Sequence, residues 1–147
     1  MNTIQLNEIL SRDSFTKNIF LGTFAFDNLP TILNYPACLI INNQSSTQPG
    51  GHWIAAYFNK NRTCEFFDSY GNSPAFFELS NYLKHNSTSI FYNKTRLQSY
   101  SSENCGYFCI LFLIFKSRNF SLDYFLKNFR EPNLNDNMIN NLKQKYL

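Results

Sequence analysis

The sequence predicts an α+β fold, and three features carry that prediction. Segments with helical spacing gather at both ends of the chain, a block of short apolar and β-branched runs lies between them, and one almost wholly apolar stretch, Tyr107 to Phe115, follows that block. Helices segregated around a run of strands pack on the sheet those strands make.

Residues 3–11 place Ile4, Leu6, Ile9 and Leu10 at the spacing of a short helix. The next apolar stretch, FLGTFAFDNLP (20–30), is interrupted by Gly22 and Pro30 and reads as an irregular lead-in. ACLIIN (37–42) is a buried strand, and SSTQPGG (45–51) is a turn-rich loop. HWIAAYF (52–58) and TCEFFD (63–68), separated by NKNR, form an antiparallel pair joined by a tight loop. Pro74 opens a helix that runs to about Lys84, with Phe76, Phe77, Leu79 and Leu83 on its apolar side. TSIFYN (88–93) is a further strand, followed by a polar loop from Lys94 to Asn104. A helix then runs from Cys105 to Arg118, with Asn104 as its N-cap and Lys116 and Arg118 at the end where cations are favoured. It is apolar nearly all round and belongs in the centre of the fold. Residues 121–129 and 135–146 read as two closing helices, the second with Leu134, Met138 and Leu142 at i, i+4, i+8.

A chain of 147 residues fits one compact domain spanning 1–147. Aromatic residues make up 18% of it, with sixteen Phe and nine Tyr, far from the composition of a disordered segment. The net charge of +3 comes from scattered Lys and Arg, with no basic run, so the expectation is weak or no nucleic-acid binding. The N-terminal MNTIQLNEILSRDSF lacks the basic leader and apolar core of a secretory signal. The longest apolar run falls well short of the roughly 20 residues that span a bilayer. These readings lead to an expectation of an intracellular, monomeric protein without membrane contact. In that setting Cys38, Cys64, Cys105 and Cys109 are thiols rather than disulfides.

Four residues carry chemistry. Cys105 stands at the first turn of the apolar helix, where unpaired backbone N–H groups and the positive helix end favour a thiolate. Taken alone, a cysteine is more often a core residue, and the helix entrance shifts that balance without settling it. Gly106 beside it lets backbone approach a substrate carbonyl. Cys109 lies four residues on, which suits neither a redox C-x-x-C pair nor a zinc site of about four ligands, and it reads as core; no metal site is expected. His52 follows Gly51 at a strand edge beside Trp53, the single tryptophan. Pairing 52–58 with 63–68 in antiparallel brings Asp68 to the same end as His52, where a carboxylate can hold an imidazole in a useful tautomer. Gln98, seven residues before Cys105, offers an amide for half of an oxyanion hole, with the Cys105 N–H as the other half.

The order His52, Asp68, Gln98, Cys105, set in PGGHW (49–53), TCEFFDSYG (63–71) and LQSYSSENCGYFC (97–109), with FLGTF (20–24) before them, resembles the adenovirus-type maturation cysteine proteases. These sit within the superfamily that includes the SUMO-specific proteases. FREPNLNDNM near the end is similar to the Asn-Asp tail of relatives encoded by viruses and virus-like DNA transposons. The resemblance implies a permuted papain-like cysteine protease fold with a buried central helix. It also implies Cys105 as nucleophile, His52 as general base, Asp68 as its orienting carboxylate, Gln98 at the oxyanion, and Trp53, Gly51 and Gly106 along the substrate.

The implied activity is a thiol endopeptidase that cleaves viral or transposon-encoded capsid precursors at Gly-containing sites, in the host nucleus or cytoplasm and in the virion. Two other readings stay open: a protease acting on ubiquitin-like modifiers, and a catalytically silent binding module. No cofactor is expected. The adenoviral relatives are activated by a viral peptide, through a disulfide, and by DNA. Here Ser87 to Arg96 holds no cysteine for such a link, and the weak charge argues against strong DNA stimulation. Asp68 also stands where the adenoviral enzyme carries Glu, the shorter carboxylate being the SUMO-protease choice.

Overall fold

The computed structural model describes residues 1–47 and 51–146. The turn expected at Pro49 and Gly50 lies outside them.

Five strands form one mixed sheet in the order β1-β2-β3-β4-β5: β1 (Phe20–Ala25), β2 (Ala37–Asn42), β3 (Trp53–Phe58), β4 (Thr63–Phe67) and β5 (Ser89–Tyr92). The central hairpin pairs Ala55 with Phe67 and Phe58 with Cys64 in antiparallel, and β2 lies antiparallel on the other side of β3. The two outer pairs, β1 with β2 and β4 with β5, are parallel. Alternation along the strands sends their side chains into two buried clusters, one on each face. Cys38, Ile40, Ala55, Tyr57 and Phe67 point to one face. Ala37, Leu39, Ile41, Ile54, Ala56, Phe58 and Phe66 point to the other.

The first face is covered by α3 (Cys105–Ser117), together with α1 (Thr3–Arg12) and α4 (Leu122–Leu126). Phe67 stacks on Phe112 at 4.9 Å and meets Phe125 edge-on at 5.5 Å, and all three rings are fully buried. Burying each such ring is worth about 1.5–3 kcal/mol, so this contact anchors α3 across the sheet. Helix α1 is closed by a capping box in which Asn2 and Gln5 exchange hydrogen bonds. Its far end is tied to the end of α3, where Arg118 donates to both oxygens of Asp13 at 2.8 and 2.9 Å. The second face is covered by α2 (Ser80–Asn86) through Leu83, with Leu79 beside it. The chain ends in α5 (Pro132–Tyr146).

Three expectations change. FLGTFA is a strand, β1, because its parallel pairing with β2 supplies backbone partners that local sequence does not announce; the register shifts between Phe20 and Thr23, where Gly22 lies. The single helix expected from Pro74 to Lys84 is a 3₁₀ turn at Pro74–Phe77 and then α2, separated where Glu78 adopts φ +60°. Lys116 does more than meet a helix terminus. It is buried, pairs with Glu65 of β4, and donates to the Phe120 carbonyl at 2.7 Å, which satisfies a charge inside an apolar layer. Among the described residues no helix is long and apolar enough to cross a membrane.

Candidate active site

The hairpin geometry delivers two of the predicted residues together. His52 precedes β3, Asp68 follows β4, and antiparallel pairing sets them at one end of the sheet with His52 Nε2 2.5 Å from Asp68 Oδ1. Asp68 is fully buried. Its Oδ1 also accepts from the Tyr70 amide (3.1 Å), and its Oδ2 accepts from the Asn72 amide (2.9 Å). The turn after β4 therefore holds the carboxylate by its own backbone, the kind of local Asx bonding that short carboxylates favour. From the neighbouring segment Asn93, itself buried, accepts from the Asp68 N–H and donates to the Asp68 carbonyl at 2.6 Å.

His52 is fixed just as firmly. Asn43 Oδ1 accepts the His52 N–H at 2.7 Å, and the Asn43 N–H donates back to the His52 carbonyl at 3.1 Å. Gly51 before it sits at φ +109°, where a side chain would be strained and would run into Asn42 and Asn43. The imidazole lies nearly parallel to the ring of Tyr70, with centroids 4.6 Å apart.

Cys105 reaches the same point from α3. Its side chain lines the same cleft as His52, and the imidazole and the Trp53 and Gly106 N–H groups lie near enough to act on the thiol electrostatically. With Nε2 engaged by Asp68, the imidazole presents Nδ1 to the thiol. Burial alone would raise the Cys105 thiol, but the His52 imidazole, with the two amides, brings it below the ordinary value. Burial alone would lower His52; Asp68 and Cys105 reverse this and hold it at about 9. Burial pushes Cys38, Cys64 and Cys109 up. Of four cysteines, one is set to ionise.

These residues open on a cleft of about 370 Å³ lined by Met1, Gly51, His52, Trp53, Tyr70, Ser102, Glu103 and Cys105. Gly51 and Trp53 are both in its lining. Gly106 is buried beside it, and a Cβ there would crowd Met1 Sδ at 3.1 Å and Trp53 Cδ1 at 3.3 Å. Gln98 is also fully enclosed. Its Oε1 accepts from the Ser69 hydroxyl at 2.6 Å, and its Nε2 donates to the Ser102 carbonyl at 2.8 Å. As placed, that amide braces the segment before Cys105 instead of reaching into the cleft. Asn104 is the residue before α3, but its side chain makes no capping bond and turns toward α5. Among the described residues no group of three or more His, Cys, Asp or Glu is placed to hold a metal ion.

Asn43, Tyr70 and Asn93 were not singled out in the sequence. Tyr70 could have been, since it lies inside DSYG. Asn43 and Asn93 are two of many asparagines, and nothing local marks them.

A family model described as adenovirus endoprotease matches residues 20–142. Among solved structures, the ASFV pS273R protease in its selenomethionine form matches with a TM-score of 0.56 at 18% sequence identity, over 89% of this chain and 63% of that one. Identity this low speaks for a shared fold, and this chain spans less than two thirds of that relative's length. The fold is a mixed α+β architecture shared with that viral protease, and the chain belongs to the adenovirus endoprotease family of cysteine proteases.

Proposed function

We propose that the protein is a thiol endopeptidase that cleaves precursor proteins of a virus or virus-like element at Gly-containing sites, with Cys105 as nucleophile. The observation that carries this reading is the Asp68–His52 pair, which opens on the same cleft as Cys105, the one thiol whose ionisation is favoured.

In the proposed reaction the Cys105 thiolate attacks the scissile carbonyl carbon, and the carbonyl π electrons move onto oxygen. The Cys105 backbone N–H, at the first turn of α3, has no intrahelical partner and is available to that oxyanion. The His52 imidazolium then gives its Nδ1 proton to the leaving nitrogen, the C–N bond breaks, and a thioester remains on Cys105. Water attacks the thioester while His52 takes its proton, and the C–S bond breaks to restore the thiolate. Asp68 stays ionised and keeps the Nε2 proton directed at itself. Gln98 joins the oxyanion site by exchanging its Ser102 partner for the developing charge. The cleft runs between Met1, Trp53 and Tyr70, and the preference for Gly at the scissile bond follows from the resemblance to the adenovirus-type proteases.

A peptide panel tests this. Peptides with Gly flanking the scissile bond should be cut, their Val counterparts should resist, and Cys105→Ala should cut none. Covalent capture by a ubiquitin or SUMO C-terminal probe, with no peptide cleaved, would instead place the protein among the modifier-specific proteases.

A further inference from the structure

The Asn-Asp pair in FREPNLNDNM takes no part in the Asp68–His52–Cys105 arrangement, yet both side chains are buried, 3% exposed at Asn135 and 7% at Asp136. Their hydrogen bonds all reach out of α5. Asp136 Oδ2 accepts the Ser99 N–H at 2.8 Å, and Oδ1 accepts the Ser102 hydroxyl at 2.5 Å and the Asn104 amide at 2.9 Å. Asn135 Nδ2 donates to the Leu97 carbonyl at 3.0 Å, while its Oδ1 accepts the Arg130 N–H at 2.7 Å. Further along α5, Asn140 Oδ1 accepts from Asn104 at 3.2 Å, and Lys143 donates to Asn104 Oδ1 at 3.1 Å. Leu97, Ser99, Ser102 and Asn104 are thus each tied to one helix.

The segment they belong to ends at Cys105 and has no sheet or helix ladder of its own; the Leu97 and Gln98 N–H groups hold its start to the Ser69 carbonyl, and the bonds to α5 hold the rest. Ser102 is the hinge of the arrangement. Its hydroxyl donates to Asp136 and accepts the Asn104 N–H at 3.0 Å, while its carbonyl takes the Gln98 amide. Burial by itself would raise the Asp136 carboxyl; the bonds from Ser102, Ser99 and Asn104 hold it below its ordinary value, so it stays a charged acceptor for all three.

We propose that Asn135 and Asp136 are positioning residues for catalysis: from α5 they hold residues 97–104, braced from inside by the Gln98 amide on Ser102, so that the Cys105 N–H is set for the oxyanion. This rests on the endopeptidase reading above. A purely structural role would leave the oxyanion site no more sensitive than the thiolate.

The two roles separate because alkylation of Cys105 by iodoacetamide displaces iodide at a saturated carbon and forms no oxyanion, whereas peptide cleavage does. Asp136→Ala should lower kcat on a cleaved peptide on the order of 10²-fold, the effect of about 1 Å of misplacement, with KM changed less than about threefold and the alkylation rate at neutral pH unchanged. Asp136→Asn keeps the shape and loses one acceptor. It should fall between Asp136→Ala and the parent, and it serves if Asp136→Ala does not fold. A folded variant that keeps the parental kcat would overturn the inference, and so would kcat and alkylation falling together. A parent protein that cleaves no peptide overturns the endopeptidase reading and this inference with it; a parent that cleaves, matched in kcat by its Asp136 variants, overturns the inference alone.

Discussion

Cys105→Ser should abolish peptide cleavage, a loss on the order of 10⁴-fold or more, with the folded state intact. Removing the nucleophile from a set of residues that act as a unit forfeits nearly all their joint contribution. A hydroxyl cannot substitute here because the site is built around an ionised sulfur. The Trp53 and Gly106 amides and the His52 imidazolium stabilise a thiolate, and they are too weak an inducement for a serine to ionise. The exchange is nearly isosteric at a half-exposed position, so the thermal midpoint should hardly move. Kinetics on a cleaved peptide with thermal unfolding on the same sample check both parts. Surviving cleavage in this variant would remove Cys105 from its assigned place.

Asp68→Asn should cost about 10³–10⁴-fold in kcat/KM, the magnitude seen when an orienting carboxylate is made neutral without change of shape. Asp68 Oδ2 already accepts the Asn72 N–H, and Oδ1 serves both the Tyr70 N–H and His52. An asparagine has one acceptor oxygen for these two positions. Where its NH₂ faces His52, the imidazole must carry its proton on Nδ1, toward Cys105, and can no longer accept one there. The pH profile moves as well. In the parent, His52 stays protonated up to about 9, so the alkaline limb of cleavage should fall through that value. Without the carboxylate the limb should move to lower pH. The same pairing contributes to folding: because the native value lies above the roughly 6.5 of an unfolded imidazole, its stabilisation is complete below that pH. It is lost as pH rises through about 9.

The central strands were legible because their pattern is unambiguous: a β-branched run in ACLIIN, and two runs joined by a tight turn in HWIAAYF and TCEFFD. Hairpin arithmetic alone set His52 and Asp68 at the same sheet end, where they meet. The apolar helix was legible too, its hydrophobicity being too complete for any surface. What stayed hidden depends on partners far away in sequence. β1 exists through β2, and its Gly22 made it look irregular. The side chains of Gln98 and Asn104 take their directions from Ser69, Ser102 and Asp136, the last some thirty to forty residues on, and no local rule reports such a partner. At Gly106 the side chains of Met1 and Trp53 lie close over the position a Cβ would take, a contact that local sequence does not announce.

The reading stands or falls on His52 lowering the Cys105 thiol and so raising its thiolate fraction. The direct test is the rate of iodoacetamide alkylation at Cys105, followed by mass spectrometry from about pH 5 to 10 in the parent and in His52→Ala. The parent rate should rise at lower pH than the roughly 8.5 of a free thiol and at lower pH than in His52→Ala, while Cys38, Cys64 and Cys109 stay slow. A parent profile that climbs through the free-thiol range and coincides with that of His52→Ala would contradict the account.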